Sequence, residues 1–582
     1  MPPGTTTTVT APSALVISPH FDDDVLGCGG LIAQLADAGT EVTVLFVTDG
    51  SGGVEEVEDR AAYAERRHVE ARTALKILGV SDIIFADLPD GSVAEHLEEA
   101  AEAIRTALLD RQPELLLTIS PLEISPDHRA VFAAVHELLA SLRGGTDLDE
   151  VARNLDILLY EANHPAFPDV LVDVSGEIDR IRRAIEAHTS QLERHNYREM
   201  TLGLRSLRTA SLPTDVTAAE GFRRLALNDF VTHSRSDLIR RLGGVPELHE
   251  VRDGPKISVI VRTKDRPPLL AEALASLANG TYRRVEVVLV NDGGDPPEVD
   301  ERYPLQVVRV DLPENRGRAA AAIAGIEAAT GDWIAVLDDD DVAAPEHLAT
   351  LAGLTEAAGT RVVYTDAAVG VYEIDPEHGW REVQRRLPYS RDFDPELLLF
   401  DNYIPFNTLL IEREALREAG PLDPDLPFFE DWDLLIRLAA VTPFHHFARV
   451  TAEYRHFRGG SHILGEHPDD RADFLEMKAR VIERHRDRHT PEILARVVDR
   501  LRGETVAALE GSAGHAAEAT CLVQSRAELI HELNQYRAIV GERDATLREL
   551  YAEIERLNDV LGEMQGTKAW RLHRLGEKIR GR

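Results

Sequence analysis

The sequence predicts an α/β protein: two Rossmann-like units, each built on a parallel sheet, followed by an α-helical coiled coil. Three observations carry that prediction. Short apolar runs of strand length alternate with longer helical patterns over residues 13 to 235, and again from residue 255 onward. Several of these runs stop abruptly at Asp or His, as ligand-bearing tips of an open parallel sheet do. Beyond about residue 500 the apolar spacing changes to alternating steps of four and three.

At 582 residues the chain is too long for one hydrophobic core. Residues 1–12 read as a low-complexity, disordered tail, 13–235 as the first α/β unit, and 236–254 as a linker. Residues 255–500 read as the second α/β unit and 501–582 as helical. A formal net charge of −37 excludes general nucleic-acid binding, which needs a basic face. The Met-Pro-Pro-Gly-Thr start has neither a basic nor an apolar leader segment. No stretch approaches the roughly 18 apolar residues of a membrane span. Cys28 and Cys521 fall in different units and read as free thiols. The expected location is the cytoplasm.

The first unit opens on Leu15-Val16-Ile17, a buried strand that breaks at Ser18-Pro19 into His20-Phe21-Asp22-Asp23-Asp24. Gly27, Gly29 and Gly30 then lead into a helix. The design repeats at Leu115 to Ile119, followed by Ser125-Pro126-Asp127-His128 before another helix. His20, Asp23 and His128 would form a two-histidine, one-carboxylate site with a coordination position left for water, the catalytic form of a zinc site. Further strands are expected at Val42–Thr48, Ile83–Phe85 and Ile157–Tyr160.

Over residues 13 to about 235 the chain resembles the LmbE-like (PIG-L) zinc-dependent N-acetylglucosaminyl de-N-acetylases. The resemblance rests on PHFDDDVLGCGG, on Val42–Thr48 running into Asp49-Gly50, and on Arg66-Arg67-His68-Val69-Glu70. It extends through Leu88-Pro89-Asp90-Gly91 and SPDHRAV to Ala187-His188-Thr189-Ser190-Gln191. It implies zinc on His20, Asp23 and His128, with Asp22 as the general base that takes a proton from water. Three positions depart from the family. Phe21 and Asp24 stand where Pro and Glu are usual, and Ser125 stands where many members carry a His that helps stabilise the oxyanion. A serine hydroxyl donates a hydrogen bond but supplies no positive charge.

The second unit begins with the strand Ile257 to Val261, then a helix from Leu269 to Leu277. The strand Val285 to Val290 follows, ending in Asn291-Asp292-Gly293-Gly294. A helix from Gly317 to Ala329 leads to Trp333 to Leu337, which ends in Asp338-Asp339-Asp340-Asp341. Four adjacent carboxylates at a strand tip call for a counter-cation, Mg²⁺ or Mn²⁺ on oxygen ligands, placed to neutralise a departing diphosphate.

Residues 255 to about 460 resemble the family-2 glycosyltransferases of GT-A fold. The matching pieces are SVIVRTKDRP, VVLVNDGGD, ENRGRAAAAIAGIEAATGDWIAVLDDDDVAAPEHL and PFFEDWDLLIRLA. The resemblance implies a nucleotide-sugar donor, Asp292 at the nucleotide base, and an acidic pair, Asp338 and Asp340, on ribose and metal. Asp339 is the alternative for the ribose. Asp431, beside Glu430, would be the base that deprotonates the acceptor hydroxyl in an inverting transfer. Arg262-Thr263-Lys264-Asp265 replaces the commoner Pro-Thr-Tyr-Asn.

From Leu529 to Met564 the apolar residues follow a 3.5-residue repeat over about five heptads, which predicts a coiled coil and a homo-oligomer. The tail after Gly566 gathers Lys568, Arg571, Arg574, Lys578, Arg580 and Arg582 around Trp570, suited to peripheral contact with an anionic membrane surface where lipid-linked acceptors reside. The expected function is bifunctional: transfer of a sugar to a glycan or lipid-linked acceptor, and zinc-dependent N-deacetylation of an amino sugar, in cell-surface glycan or glycoconjugate biosynthesis. Two alternatives accompany it, a transferase fused to a non-catalytic sugar-binding domain, and a coiled-coil scaffold with ligand-binding α/β modules.

Overall fold

A computed structural model describes residues 5–52, 59–143, 146–375, 379–458 and 472–511. The chain forms two compact units that divide between Glu247 and Leu248. The heptads, the basic tail and Cys521 lie outside the described residues. Among the described residues no helix is long and apolar enough to cross a membrane.

The first unit is a seven-stranded sheet in the order β3-β2-β1-β4-β5-β7-β6. Its strands are β1 (Ser13–Ser18), β2 (Glu41–Thr48), β3 (Asp82–Leu88), β4 (Leu115–Ile119), β5 (Asp156–Tyr160), β6 (Val170–Asp173) and β7 (Ala219–Leu225). The first five run parallel, and every residue of β4 is buried, the all-apolar pattern of a strand covered on both faces. The chain winds outward from β1 to β3, then returns to lay β4 on the other side of β1. That reversal opens a crevice between the carboxyl ends of β1 and β4, the position at which open α/β sheets bind ligands.

Two strands escape the sequence reading. β6 and β7 add antiparallel to the far edge, and their segments, VLVD and AEGFRRL, are short or interrupted by charge. Nor is the amino-terminal tail free: the Thr7 N–H donates to the Leu171 carbonyl at 2.7 Å, and Val9 is buried. The segment read as a linker starts with a helix, Arg235–Arg241, in which Leu238 is buried.

The charge inside β7 has a purpose. The helix Asp23–Asp37 is broken at Cys28, whose backbone leaves the helical region (φ −141°, ψ 21°). The break strands backbone donors, and Glu220 accepts two of them, from Gly30 and Leu31, each at 2.8 Å. Arg205 completes the clamp, donating to the carbonyls of Leu26 (2.9 Å) and Val25 (3.1 Å) and pairing with Glu220. The glycines here allow close packing: a Cβ at Gly27 would lie 2.2 Å from the Tyr160 ring, and one at Gly30 would lie 2.5 Å from Val174. The kinked turn that carries Asp22 and Asp23 is therefore braced from β7. Glu220→Ala leaves Arg205 buried without its partner and is expected to destabilise the unit by about 3–5 kcal/mol. A chemical denaturation curve checks this as a lowered midpoint.

The second unit has a nine-stranded mixed sheet, in the order β10-β9-β8-β11-β15-β13-β16-β12, with β14 paired to β13. Its strands are β8 (Ile257–Thr263), β9 (Val285–Asp292), β10 (Gln306–Leu312), β11 (Trp333–Val336), β12 (Val342–Ala343), β13 (Val362–Asp375), β14 (Gly379–Tyr389), β15 (Leu409–Glu412) and β16 (His445–Phe457). β10, β9, β8 and β11 are parallel, and the order again reverses beside its first strand, between β8 and β11. The expected helices appear as Pro267–Ala278 and Arg318–Ala328. Antiparallel β15 on β11 and the long antiparallel pair β13–β14 extend the sheet past the parallel core.

Candidate active sites

In the first unit the turn after β1 is fixed by its own polar atoms. Ser18 Oγ donates to the His20 carbonyl (2.7 Å) and accepts from the Asp24 N–H (3.1 Å), while the His20 N–H donates to Asp23 Oδ2 (3.0 Å). Asp22 occupies the N-cap position of the following helix, yet its side chain makes no capping bond, so the acids are not there to cap. Across the crevice, the helix Pro126–Ala140 presents His128 from its first turn.

Three donor atoms converge there. His20 Nδ1 lies 3.0 Å from Asp23 Oδ2 and 3.1 Å from His128 Nε2, and His128 Nε2 lies 3.0 Å from Asp23 Oδ2. Donors bound to one ion at about 2.0–2.2 Å stand roughly this far apart. Burial acts to raise the Asp23 carboxyl, but His128 and His20 outweigh it and hold Asp23 well below the usual carboxylate range. Burial acts to lower His128, and Asp23 overrides it, pushing the imidazole up to about 9. The group is strongly polarised, with Asp23 and His128 buried and His20 partly so, and is suited to exchange its protons for a cation.

A carboxylate stands on the far side of each imidazole. His20 Nε2 faces Asp127 Oδ2 (3.3 Å) and Asp90 Oδ1 (3.5 Å), and His128 Nδ1 faces Glu123 Oε2 (3.3 Å). Glu123 is itself held by the N–H groups of Ala162 (2.8 Å), Asn163 (3.1 Å) and His164 (3.2 Å). Such carboxylates fix ring orientation and tautomer. Sequence reasoning assigns Glu123 no role, because its anchors lie some 40 residues away after β5. Glu123→Gln is expected to weaken metal affinity about 10–100-fold while the fold survives; competition with a chelator checks it.

Asp22 is buried, with Arg67 NH2 3.6 Å from its Oδ1. Arg67 also reaches the Gly50 carbonyl (3.3 Å) and Asp90 (3.4 Å). Two distant motif stretches latch together nearby. Glu70 accepts from Thr189 Oγ1 (2.6 Å), from the Ser190 N–H (2.9 Å) and from Ser190 Oγ (2.6 Å), and Gln191 Nε2 donates to the Tyr63 hydroxyl (2.9 Å). The latch buries His188, whose titration burial pushes downward. Ser125 sits at the N-cap of the His128 helix and makes no capping bond, so its hydroxyl is not spent on the helix.

In the second unit the acids do gather at the strand tips, but arginines meet them. Arg262, the residue in place of the commoner proline, donates through Nε to Asp338 Oδ1 (2.7 Å) and through NH2 to Asp338 Oδ2 (2.7 Å). Its NH1 reaches Glu430 Oε1 at 3.2 Å. Arg266 spans Asp339 (2.6 Å) and Asp340 (2.8 Å). Arg318 lies 3.5 Å from Asp338 and 3.3 Å from Glu430. Asp341 turns inward, accepting from Asn407 Nδ2 (2.9 Å) and from the Arg455 N–H (3.0 Å). Both oxygens of Asp292 are engaged by backbone, the N–H groups of Arg316 (2.7 Å) and Gly317 (3.0 Å), which fixes the loop leading into Arg318.

Phe429 enters the helix Glu430–Val441 in the left-handed region (φ 63°), a strained conformation for a bulky residue. Asp431, next along, accepts from the Trp432 N–H (2.8 Å) and from Asn402 Nδ2 (3.3 Å). Burial, with Glu430 beside it, raises the Asp431 carboxyl to about 6.

Residues 15–139 match the family described as PIG-L, GlcNAc-PI de-N-acetylase, and residues 258–418 match glycosyl transferase family 2. The chain is 32% identical over 187 residues to the diacetylchitobiose deacetylase of Thermococcus kodakarensis, covering 30% of this chain and 69% of that protein. It is 34% identical over 188 residues to an uncharacterized glycosyltransferase, YwdF, of Bacillus subtilis, covering 32% of this chain and 68% of that one. The chain belongs to both families. The amylovoran biosynthesis glycosyltransferase AmsE of Erwinia amylovora is a further relative, 30% identical over 217 residues, covering 36% of this chain and 78% of AmsE.

The protein is thus a bifunctional glycan-modifying enzyme, with a PIG-L deacetylase unit and a family-2 glycosyltransferase unit in one polypeptide. The transferase unit takes a nucleotide-sugar donor and a glycan acceptor. Both families are generally metal-dependent. In the PIG-L unit the residues fit such an ion: His20, Asp23 and His128 bring three donor atoms together. In the family-2 unit they do not. Asp338 and Asp340, expected on ribose and metal, each face a guanidinium, and no three ligating groups converge among its described residues.

Proposed function

We propose that the PIG-L unit hydrolyses the N-acetyl group of an amino sugar, with zinc held by His20, Asp23 and His128 and with Asp22 as general base. The observation that carries this reading is the triangle of three donor atoms, 3.0–3.1 Å apart, in the crevice between β1 and β4, with Asp23 and His128 buried and His20 partly so. When bound there, zinc supplies a lowered water pKa and polarises the amide carbonyl. Asp22 takes the proton from the attacking water and returns it to the departing amine. The water oxygen joins the carbonyl carbon, the C–N bond breaks, and acetate and a free amino sugar result. Ser125 has a hydroxyl available to donate to the developing oxyanion. Arg67 and Asp90, a donor and an acceptor side by side, suit the hydroxyls of a sugar ring. The deacetylase relative acts on diacetylchitobiose by name, which supports an N-acetylglucosamine-type substrate here.

The family-2 unit, in the same reading, transfers a sugar with inversion. Asp431 takes the proton of the acceptor hydroxyl, whose oxygen bonds to the anomeric carbon as the bond to the nucleoside diphosphate breaks. Joining both units in one chain supports a shared product, an N-acetylated sugar that is added and then deacetylated within glycoconjugate biosynthesis. Self-association through the heptads and contact of the basic tail with an anionic surface complete the proposal. Incubating the full-length protein with N,N′-diacetylchitobiose and assaying free acetate tests the first half. Zinc-dependent release supports it, and zinc-loaded protein that releases none from N-acetylated glycans refutes it.

A further inference from the structure

Carboxylates crowded at a strand tip need countercharge, from either a cation or guanidinium groups. The family-2 unit supplies guanidinium. The carboxyls at this tip are Asp338, Asp339, Asp340, Asp341, Glu430 and Asp431, and the cations are Arg262, Arg266 and Arg318, with Arg455 behind them on Asp341 and the Asp340 carbonyl. Each carboxylate from Asp338 to Asp340 is thus already paired with a guanidinium, at 2.6–2.8 Å.

The three arginines are not equivalent. Arg262 is buried, 5% exposed, and its donors are taken by Asp338, Glu430 and the Arg318 carbonyl. Arg266 and Arg318 are each 36% exposed, one on the Asp340 side of the tip and one on the Asp338 side. Both side chains are thus partly open to solvent, as that of Arg262 is not. Asp292 fixes the loop that leads into the helix opened by Arg318.

We propose that Arg266 and Arg318 bind the diphosphate of the nucleotide donor directly, with Arg262 as the fixed counter-ion of Asp338, so that donor binding needs no divalent cation. The inference rests on the transferase reading of this unit. Guanidinium groups match phosphate oxygens in planar, bidentate pairs, and the acids beneath hold them oriented before the donor arrives. The same two side chains meet the charge that develops on the diphosphate as it leaves.

Calorimetric titration of the full-length protein with UDP, GDP and dTDP, in excess EDTA and again in excess Mg²⁺, tests this. The nucleotide that binds is expected to do so in EDTA with a Kd within about threefold of its Mg²⁺ value. Arg266→Gln and Arg318→Gln are each expected to weaken it about tenfold or more in EDTA. Binding that requires Mg²⁺, or that ignores both substitutions, overturns the inference and leaves the transferase reading standing. Binding of none of the three nucleotides under either condition overturns both. The comparison of EDTA with Mg²⁺ uses the unmodified protein and does not depend on how the variants fold.

Discussion

Asp22→Asn is expected to lower acetate release by about 10²–10⁴-fold while zinc remains bound. The carboxylate stands on the turn that supplies His20 and Asp23 but caps nothing, and Arg67 is the cation beside it. The amide of asparagine keeps the shape and loses the base. Its effect should fall on kcat, since proton transfer belongs to the chemical step. Sugar transfer by the same protein should not change. A loss of zinc together with activity would instead make Asp22 part of the metal's support. An unchanged kcat would remove it from the mechanism.

Asp431→Asn is the converse experiment, with transfer expected to fall by about 10²–10⁴-fold and acetate release to be spared. The pH profile adds a second readout. A base acts only when deprotonated, and burial raises the Asp431 carboxyl to about 6. Transfer should therefore be level above about pH 7 and drop roughly tenfold per unit below about 6. Nucleotide release measured across that range would show the acid limb in the parent enzyme. A parent profile flat down to pH 5 would count against Asp431 as the base.

What the sequence disclosed and what it hid follow one physical line. A buried strand ending in His or Asp is a local pattern, so Ile17 to Asp23, Leu115 to His128 and Trp333 to Asp341 could be read directly. The convergence of His20, Asp23 and His128 was legible because both segments end strands at the same sheet edge. Long-range charge pairing was not. Glu220 meets Gly30 across 190 residues, and Arg262 meets Glu430 across 168, and neither leaves a periodic trace in the chain. Four adjacent Asp read as a cation site because nothing nearby in sequence announces that Arg262, Arg266 and Arg318 will fold onto them. Glu123 escaped for the same reason, its anchors lying beyond β5. The antiparallel strands β6 and β7 were hidden because β6 has only four residues and β7 carries buried charge, which breaks the apolar run by which a strand is recognised.

The central claim, a hydrolytic metal centre built from two strand tips, is tested most directly by the zinc content of the purified full-length protein beside that of Asp23→Ala. About one zinc per chain, lost in the variant, is the result predicted for three converging ligands. No zinc after reconstitution, or zinc retained undiminished in Asp23→Ala, would contradict it.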